Sequence, residues 1–535
     1  MKTNIKILFL AALIFTACNE KDDVIPVVPE EALTAGTANF SKYVAVGNSL
    51  SAGYSDGTLF KEGQLNSWTN ILSQEFAKVG GGAFKIPLMP DDNIGGFLKS
   101  DGTQDRNYPP RLFFRYVTPS TDPCIPTSGP TAIPQMSTAA NSTVLTGGFN
   151  NMGVPGAKVW HLPFAGYGFA NPFFKRFASS PGASILGDAV AQAPTFFSLW
   201  IGNNDVLSYA SSGGIGVNQL GNLNPGLYGV NDITDPQVFA GSYQAILSDQ
   251  TGLRKNGAKG VIANVPYVTS VPFFTTVPTN PVPLPEANYT ALNELFGPLN
   301  AYFTSLGETN PRFATLGAKD NPLLIIDETL VSREAEITGA LTPKLGPFAA
   351  SVGKILAKAR HARKTGNRDY ILLTTRGVIG VPINSSNPCT LQYNDNTTVI
   401  DLPAAQIADK FSTLGVSYPL QDRHVLTADE TMQVKIATDA YNTTIKGFAT
   451  LYGLAFIDTN ALLNKVATVG IPSNGFTITS AYATGGAFSL DGVHPSPRGY
   501  ALIANEFMKV INLTYGSNLK PVDISKYRVQ FPKAF

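Results

Sequence analysis

Charge is scarce in this chain. Lys and Arg number 39 and Asp and Glu 38, so 14% of its 535 residues are charged, against roughly 25% in an average globular protein. A net charge of +1 and the lack of any Lys/Arg run leave no electrostatic pull on nucleic acid. Cysteine (3) and histidine (4) are equally sparse. None of them cluster at metal-ligand spacing, so no zinc site or other metal centre is expected. No stretch reaches 18 uninterrupted apolar residues, so no spanning helix is expected. A Gly-x-Gly-x-x-Gly opening a helix after the first strand is missing, as is a Walker-type Gly-Lys-Ser/Thr. The usual grounds for a flavin or nucleotide are thereby removed, and no cofactor is expected.

What is abundant is apolar and turn-forming. Hydrophobic residues make up 44%, and Gly (50) and Pro (38) together account for about one residue in six. Such a chain can bury a large core and is neither disordered nor collagenous. Short, largely apolar runs at 43–46, 195–201, 260–266 and 454–458 read as buried strands. Helices are expected between them: 67–79 with Ser67 as N-cap, one opened by Asp235-Pro236, one opened by the capping box Thr427-Ala428-Asp429-Glu430, and a last one from Ser496-Pro497. Alternation of this kind implies an α/β fold, a three-layer α/β/α sandwich with a mainly parallel central sheet. No internal repeat is found. Residues 39–535 read as one domain, and 267–426, with strands of its own at 323–327 and 370–374, reads as an inserted cap or subdomain.

Residues 1–17 have the parts of an export signal: Lys2 and Lys6, an apolar run from Ile7 to Phe15, and small residues before Cys18. Phe15-Thr16-Ala17-Cys18 resembles the lipobox of bacterial lipoproteins, in which the Cys is acylated and becomes the mature N-terminus. Phe15 stands where that motif usually has an aliphatic residue, and a plain cleavage site abutting Cys18 is the other reading. The acidic run Asn19–Asp23 looks like the retention or surface-export tags of Gram-negative outer-membrane lipoproteins, or else is a solvated linker. Residues 18–38 are then a tether, and the lipid is the membrane anchor. Export to the cell envelope of a Gram-negative bacterium follows as an expectation. Such a compartment permits a disulfide between Cys124 and Cys389, both in loop-like Asp-Pro-Cys and Asn-Pro-Cys settings; two separate thiols are the alternative.

Open α/β sheets place their sites at the carboxyl ends of strands. The first strand ends in Gly47-Asn48-Ser49-Leu50, and a later one in Gly202-Asn203-Asn204-Asp205. Asn151-Met152-Gly153-Val154-Pro155-Gly156 reads as a polar, glycine-rich turn, and Asp491-Gly492-Val493-His494 precedes the last helix. Each is weak alone. In this order the four segments resemble the signature blocks of the SGNH (GDSL) hydrolases, over about residues 42–512 with the insertion set aside. Asn48 replaces the Asp of the namesake Gly-Asp-Ser-Leu, at a position that is not the nucleophile. That resemblance implies the flavodoxin-like SGNH fold. It also implies Ser49 as nucleophile, His494 as base and Asp491 as the group orienting it. The oxyanion donors would be the backbone N–H groups of Ser49 and Gly153 and the amide of Asn204. Gly at 153 would leave room for the substrate oxygen. Asp205 reads as a helix cap, His424 as a salt-bridged cap, and His161 as a residue close enough to line the cleft.

The expected activity is hydrolysis of carboxylic esters through a serine acyl-enzyme. Small-molecule, lipid or acylated-glycan esters are the expected partners. Polysaccharide O-deacetylation or acyl transfer with the same triad, and a catalytically silent surface-binding lipoprotein, are the alternatives. A relative that had lost its chemistry would be expected to lack a triad member, and none is missing. Phe164, Tyr167, Phe169, Phe173, Phe174 and Phe177, with Tyr267, Phe273 and Phe274, are candidates to wall an apolar acyl pocket or simply to pack beneath loops.

Overall fold

The computed structural model describes residues 32–116, 129–381 and 412–534. The export signal, Cys18, most of the tether, Cys124 and Cys389 lie outside the described residues. Among those described, no helix is long and apolar enough to cross a membrane.

Five strands form a fully parallel sheet: β1 (Tyr43–Gly47), β2 (Asn151–Gly153), β3 (Phe196–Trp200), β4 (Lys259–Ala263) and β5 (Ala455–Ile457). Their order is β5-β4-β3-β1-β2. Every residue of β1 and β3 is buried, as expected of strands covered on both faces. Alternation sorts them. Val44, Val46, Phe197, Leu199 and Ile262 enter one core, while Tyr43, Ala45, Phe196, Val261 and Ala263 enter the other.

Helices cover both faces, an arrangement that fits a three-layer sandwich. The short helical turn α1 (Ser49–Ala52) follows β1. Beyond it lie α2 (Trp68–Ala77), α3 (Asn204–Ser211), α4 (Pro236–Ile246), α5 (Ala428–Tyr452), α6 (Thr459–Thr468) and α7 (Pro497–Tyr515). Local chemistry sets their starts. Ser67 Oγ accepts from Asn70 N–H, Asp235 Oδ1 from Gln237 and Val238 N–H, and Thr427 with Glu430 closes a capping box. On one face Trp68 of α2 stacks on Phe507 of α7 at 4.1 Å. On the other, Phe239 of α4 stacks on Tyr441 of α5 at 4.0 Å.

The Asn151–Gly156 segment, expected as a turn, is strand and turn together. Its first three residues are the edge strand β2, too short to show a pattern of its own.

Between β4 and α5 the chain builds two small cores of its own. One gathers Phe296, Leu299, Phe313 and Leu324 beneath the helix Glu286–Ser305. The other gathers Val277, Ile325, Ile371 and Leu420. The expected strands appear shortened, as Leu324–Ile326 and Tyr370–Ile371. The latter pairs antiparallel with Val425–Leu426, so the excursion closes on itself one residue before the capping box. Arg360 ties its base together, bonding Asp327 at 2.5 Å and Asp369 at 2.6 and 2.8 Å.

Phe507 is fully buried between the sheet and α2. Phe507→Ala is therefore expected to lower unfolding free energy by about 3–5 kcal/mol, read as a lower urea midpoint with an unchanged m-value. A loss below about 1 kcal/mol would show that α2 and α7 repack freely.

Candidate active site

Ser49 is the first residue of α1, directly after β1. Asn48 makes that turn possible. Its Oδ1 accepts Leu50 N–H at 3.0 Å, and its Nδ2 donates to Asn203 Oδ1 at 2.9 Å, linking the ends of β1 and β3. An aspartate there would keep the cap and lose the donor. Gly47 is dictated by closeness, because a Cβ would stand 2.3 Å from Ser51 Oγ and 2.4 Å from Trp200 O.

His494 Nε2 lies 2.8 Å from Ser49 Oγ, and its Nδ1 lies 2.8 Å from Asp491 Oδ2. An ionised carboxylate can only accept, so Nδ1 carries the proton and Nε2 faces the hydroxyl as acceptor. Asp491 is heavily bonded. Oδ1 accepts from His494 N–H (2.8 Å), Val493 N–H (2.9 Å) and Ser489 Oγ (3.1 Å), and Oδ2 also accepts from Gly57 N–H (3.0 Å). Burial acts to raise its pKa, but the His494 charge and these donors outweigh it and hold the carboxyl below the usual range. Tyr54 packs its ring 4.5 Å from the imidazole. The expected triad residues thus form one hydrogen-bonded chain.

The turn after α1 clamps the histidine loop. Ser55 Oγ donates to Pro495 O, Asp56 N–H to Ser489 Oγ, and Leu490 N–H to Asp56 Oδ1. Asp56, which carries no motif in the sequence, is only 1% exposed and adopts φ of 50°. Its Oδ2 has no partner. Burial pushes the carboxyl up to about 7, with Asp491 adding to the rise while the Leu490 N–H and Arg111 oppose it.

The expected oxyanion donors divide. Ser49 N–H opens the helix and has no helical acceptor. Asn204 gives one amide hydrogen to Ala157 O at 3.0 Å and keeps the other. Gly153 corrects the sequence-based expectation. Its N–H is donated to Asn151 Oδ1 at 2.9 Å. A Cβ on it would meet Ala52 N at 2.4 Å and Ser51 C at 2.7 Å. Glycine there admits the backbone of α1, and has no bearing on room for substrate. Three residues on, Gly156 has φ of 80°, and a Cβ there would meet only Asn171 Nδ2, at an ordinary contact distance of 3.8 Å. It directly precedes Ala157, whose carbonyl accepts from Asn204. It is visible in the sequence as the second glycine of the same segment.

Other polar residues are structural. Asp205 does not cap its own helix. It is fully buried, and its Oδ2 accepts Val159 N–H at 3.0 Å. Desolvation raises it to about 6, against the pull of Lys158. His161 accepts Lys158 N–H on Nδ1, stacks on Tyr167 at 4.4 Å, and is pushed down to about 3 by burial. It does not line the cavity beside Ser49. His361 accepts Ala314 N–H and is likewise pushed down to about 3. His424 accepts Gln421 N–H at 3.2 Å.

Of the two readings of the aromatics, packing is the one that the structure supports for Phe173, and none of the nine lines the cavity beside Ser49. Phe173 packs on Tyr54, Phe97 and Tyr108 behind the triad, and Phe164 and Phe169 are exposed. The apolar cavity that does open beside Ser49 and His494 is lined instead by α6, α7 and the turn after β4. Among the described residues, the grouping close enough to share a cation is Glu328, Asp422 and Glu430. Burial and mutual repulsion raise Asp422 to about 8 and Glu430 to about 7. It contains no His or Cys, the donors a structural zinc site takes.

Comparison with family models, with curated proteins and with solved structures finds no match to this chain. The geometry therefore carries the functional reading by itself.

Two outcomes follow from this geometry. Asp56 takes up a proton on folding anywhere between its unfolded value near 4 and its folded value near 7, so it erodes stability as pH rises across that window. Asp56→Asn is expected to match wild type near pH 4 and to exceed it by a margin that grows to pH 7 and then levels, of the order of a few kcal/mol, in denaturant titrations at stepped pH. A margin independent of pH would remove the buried-carboxyl account. Gly153→Ala is expected to cost about 1–3 kcal/mol or more by overpacking α1, measured in the same titrations.

Proposed function

We propose that the protein is a serine hydrolase of carboxylic esters, working through an acyl-enzyme, and a member of the SGNH hydrolases with their fold. The observation that carries the reading is the unbroken chain Ser49–His494–Asp491, with both links at 2.8 Å. It sits where β1 and β3 diverge, the crevice in which doubly wound sheets of order 2-1-3-4-5 bind ligands.

Ser49 Oγ attacks the ester carbonyl while Nε2 of His494 takes its proton. The carbonyl oxygen becomes an oxyanion beside the Ser49 and Gly156 N–H groups and the free amide hydrogen of Asn204. Collapse breaks the bond to the alcohol, which leaves with the proton from His494 and leaves the acyl group on Ser49. Water then attacks the acyl carbon, gives a proton to His494, and releases the acid as the proton returns to Ser49. Asp491 holds the tautomer and stabilises the imidazolium throughout. An oxyanion donor of this kind is worth roughly 10²–10³ in rate. No step calls for a metal or cofactor. We also propose export, lipidation at Cys18 and residence at the envelope of a Gram-negative bacterium, on the strength of residues 1–23.

A fluorophosphonate probe is expected to label wild type at Ser49 and to leave Ser49→Ala unlabelled. Asp491→Asn is expected to lower kcat on 4-nitrophenyl esters by about 10⁴ by favouring the wrong imidazole tautomer. Equal turnover by wild type and Ser49→Ala would remove the assignment.

A further inference from the structure

The cavity at the triad has a chemical character of its own. Ser49, His494 and Asn204 stand at its mouth, and its walls are almost wholly apolar. Leu463 and Val466, three apart on α6, face Leu502 and Ile503 of α7, with Val268 and Phe488 completing the lining. The few polar groups beyond the mouth are engaged. Thr459 Oγ1 donates to Asn264 O at 2.5 Å, and Asn203 Oδ1 accepts from Asn48. Those two oxygens are therefore already partnered.

Two parts of an ester could enter: the acyl chain or the alcohol. The alcohol must depart, and water must replace it, while the acyl group is still bonded to Ser49. A limb enclosed between two helices suits the part that stays. Its volume of about 100 Å³ is below the roughly 150 Å³ of a cavity that holds benzene, a six-carbon ring.

We infer that this cavity is the acyl site, and that it selects esters of unbranched aliphatic acids of about four to six carbons. The inference rests on the hydrolase reading above and adds the substrate class to it. Filling the cavity should raise kcat/KM by about fourfold per methylene, the fold-change equivalent of roughly 0.8 kcal/mol at ordinary temperature, until the chain outgrows it.

The test is a series of acetyl, butanoyl, hexanoyl, octanoyl and decanoyl 4-nitrophenyl esters with wild type, Ile503→Trp and Leu463→Ala. Wild type is expected to rise from acetyl to a maximum at butanoyl or hexanoyl. Ile503 is only partly buried, so a larger ring is tolerated there, and Ile503→Trp is expected to lose about tenfold more on hexanoyl than on acetyl esters. Leu463→Ala is expected to move the maximum to longer acids. Alongside these, sodium hexanoate titrated into Ser49→Ala by calorimetry should bind with a negative heat-capacity change, and Ile503→Trp introduced into that protein should abolish it. A maximum at acetyl, or one that follows the alcohol's length in a matched series, overturns the inference while the hydrolase reading stands. Turnover undiminished in Ser49→Ala would sink the hydrolase reading, and the hexanoate titration would still decide what the cavity holds.

Discussion

The docking of the Ser55–Gly57 turn onto the Ser489–Pro495 loop is what the site depends on. Ser49 and His494 are separated by 445 positions, and nothing local holds them together. Four hydrogen bonds from residues 55–57 reach the loop, two through side chains of the turn and two through its backbone N–H groups. Because that turn begins six residues after Ser49, the segment that carries the hydroxyl also grips the segment that carries the imidazole. Tyr500 adds a further tie, donating from α7 to Tyr54 O at 2.7 Å. The triad geometry is thus a property of two backbone segments locked in register. Side-chain reach contributes little.

That lock comes with a buried carboxyl. Asp56 supplies the acceptor for Leu490 N–H but leaves its second oxygen unmatched, in a left-handed conformation. A cost of that kind is typical where backbone is held in place for a functional geometry. Asp56 also lies close enough to Asp491 for that carboxylate to add to the rise in its pKa. Ser489 stands between them, accepting from Asp56 N–H and donating to Asp491 Oδ1. The hydroxyl bridges two acidic residues from different segments, one in the turn after α1 and one in the histidine loop.

Legibility in the sequence followed the range of the interaction. Buried parallel strands are short apolar runs, and helix starts are set by residues within four positions, so β1, β3, β4, β5 and the caps of α2, α4, α5 and α7 could be read directly. Ser49, Asp491 and His494 could be singled out because Ser49 follows a strand end and the other two lead into a helix start, even with Asn48 departing from the signature beside Ser49. β2 could not, since three residues at a sheet edge show no period. For the same reason the sequence reads Gly153 as an open turn position, whereas it is a contact against α1. The aromatic run at 164–177 was visible as apolar, but the rings that Phe173 packs on, Tyr54, Phe97 and Tyr108, lie far from it in the chain. Asp56 gave no signal because its role exists only once Leu490 and Ser489 have folded against it.

The insertion belongs to the site as well. Phe273 N–H donates to Gly492 O at 2.9 Å, and Gly492 has φ of 73°. A side chain at that position would press on Phe273 and Leu373, both from the excursion between β4 and α5. Tyr482 holds the neighbouring Leu490 O at 2.6 Å from the opposite side. The histidine loop is therefore gripped by three parts of the chain: the turn after α1, the insertion, and the segment that leads into α7. The insertion's contact falls on the residue between Asp491 and Val493, beside the bonds that orient the imidazole. The insertion thus reaches the loop of His494 directly, whereas the turn of Ser49 is tied elsewhere: Asn48 caps it through Leu50 N–H and Asn151 donates to Ser51 O.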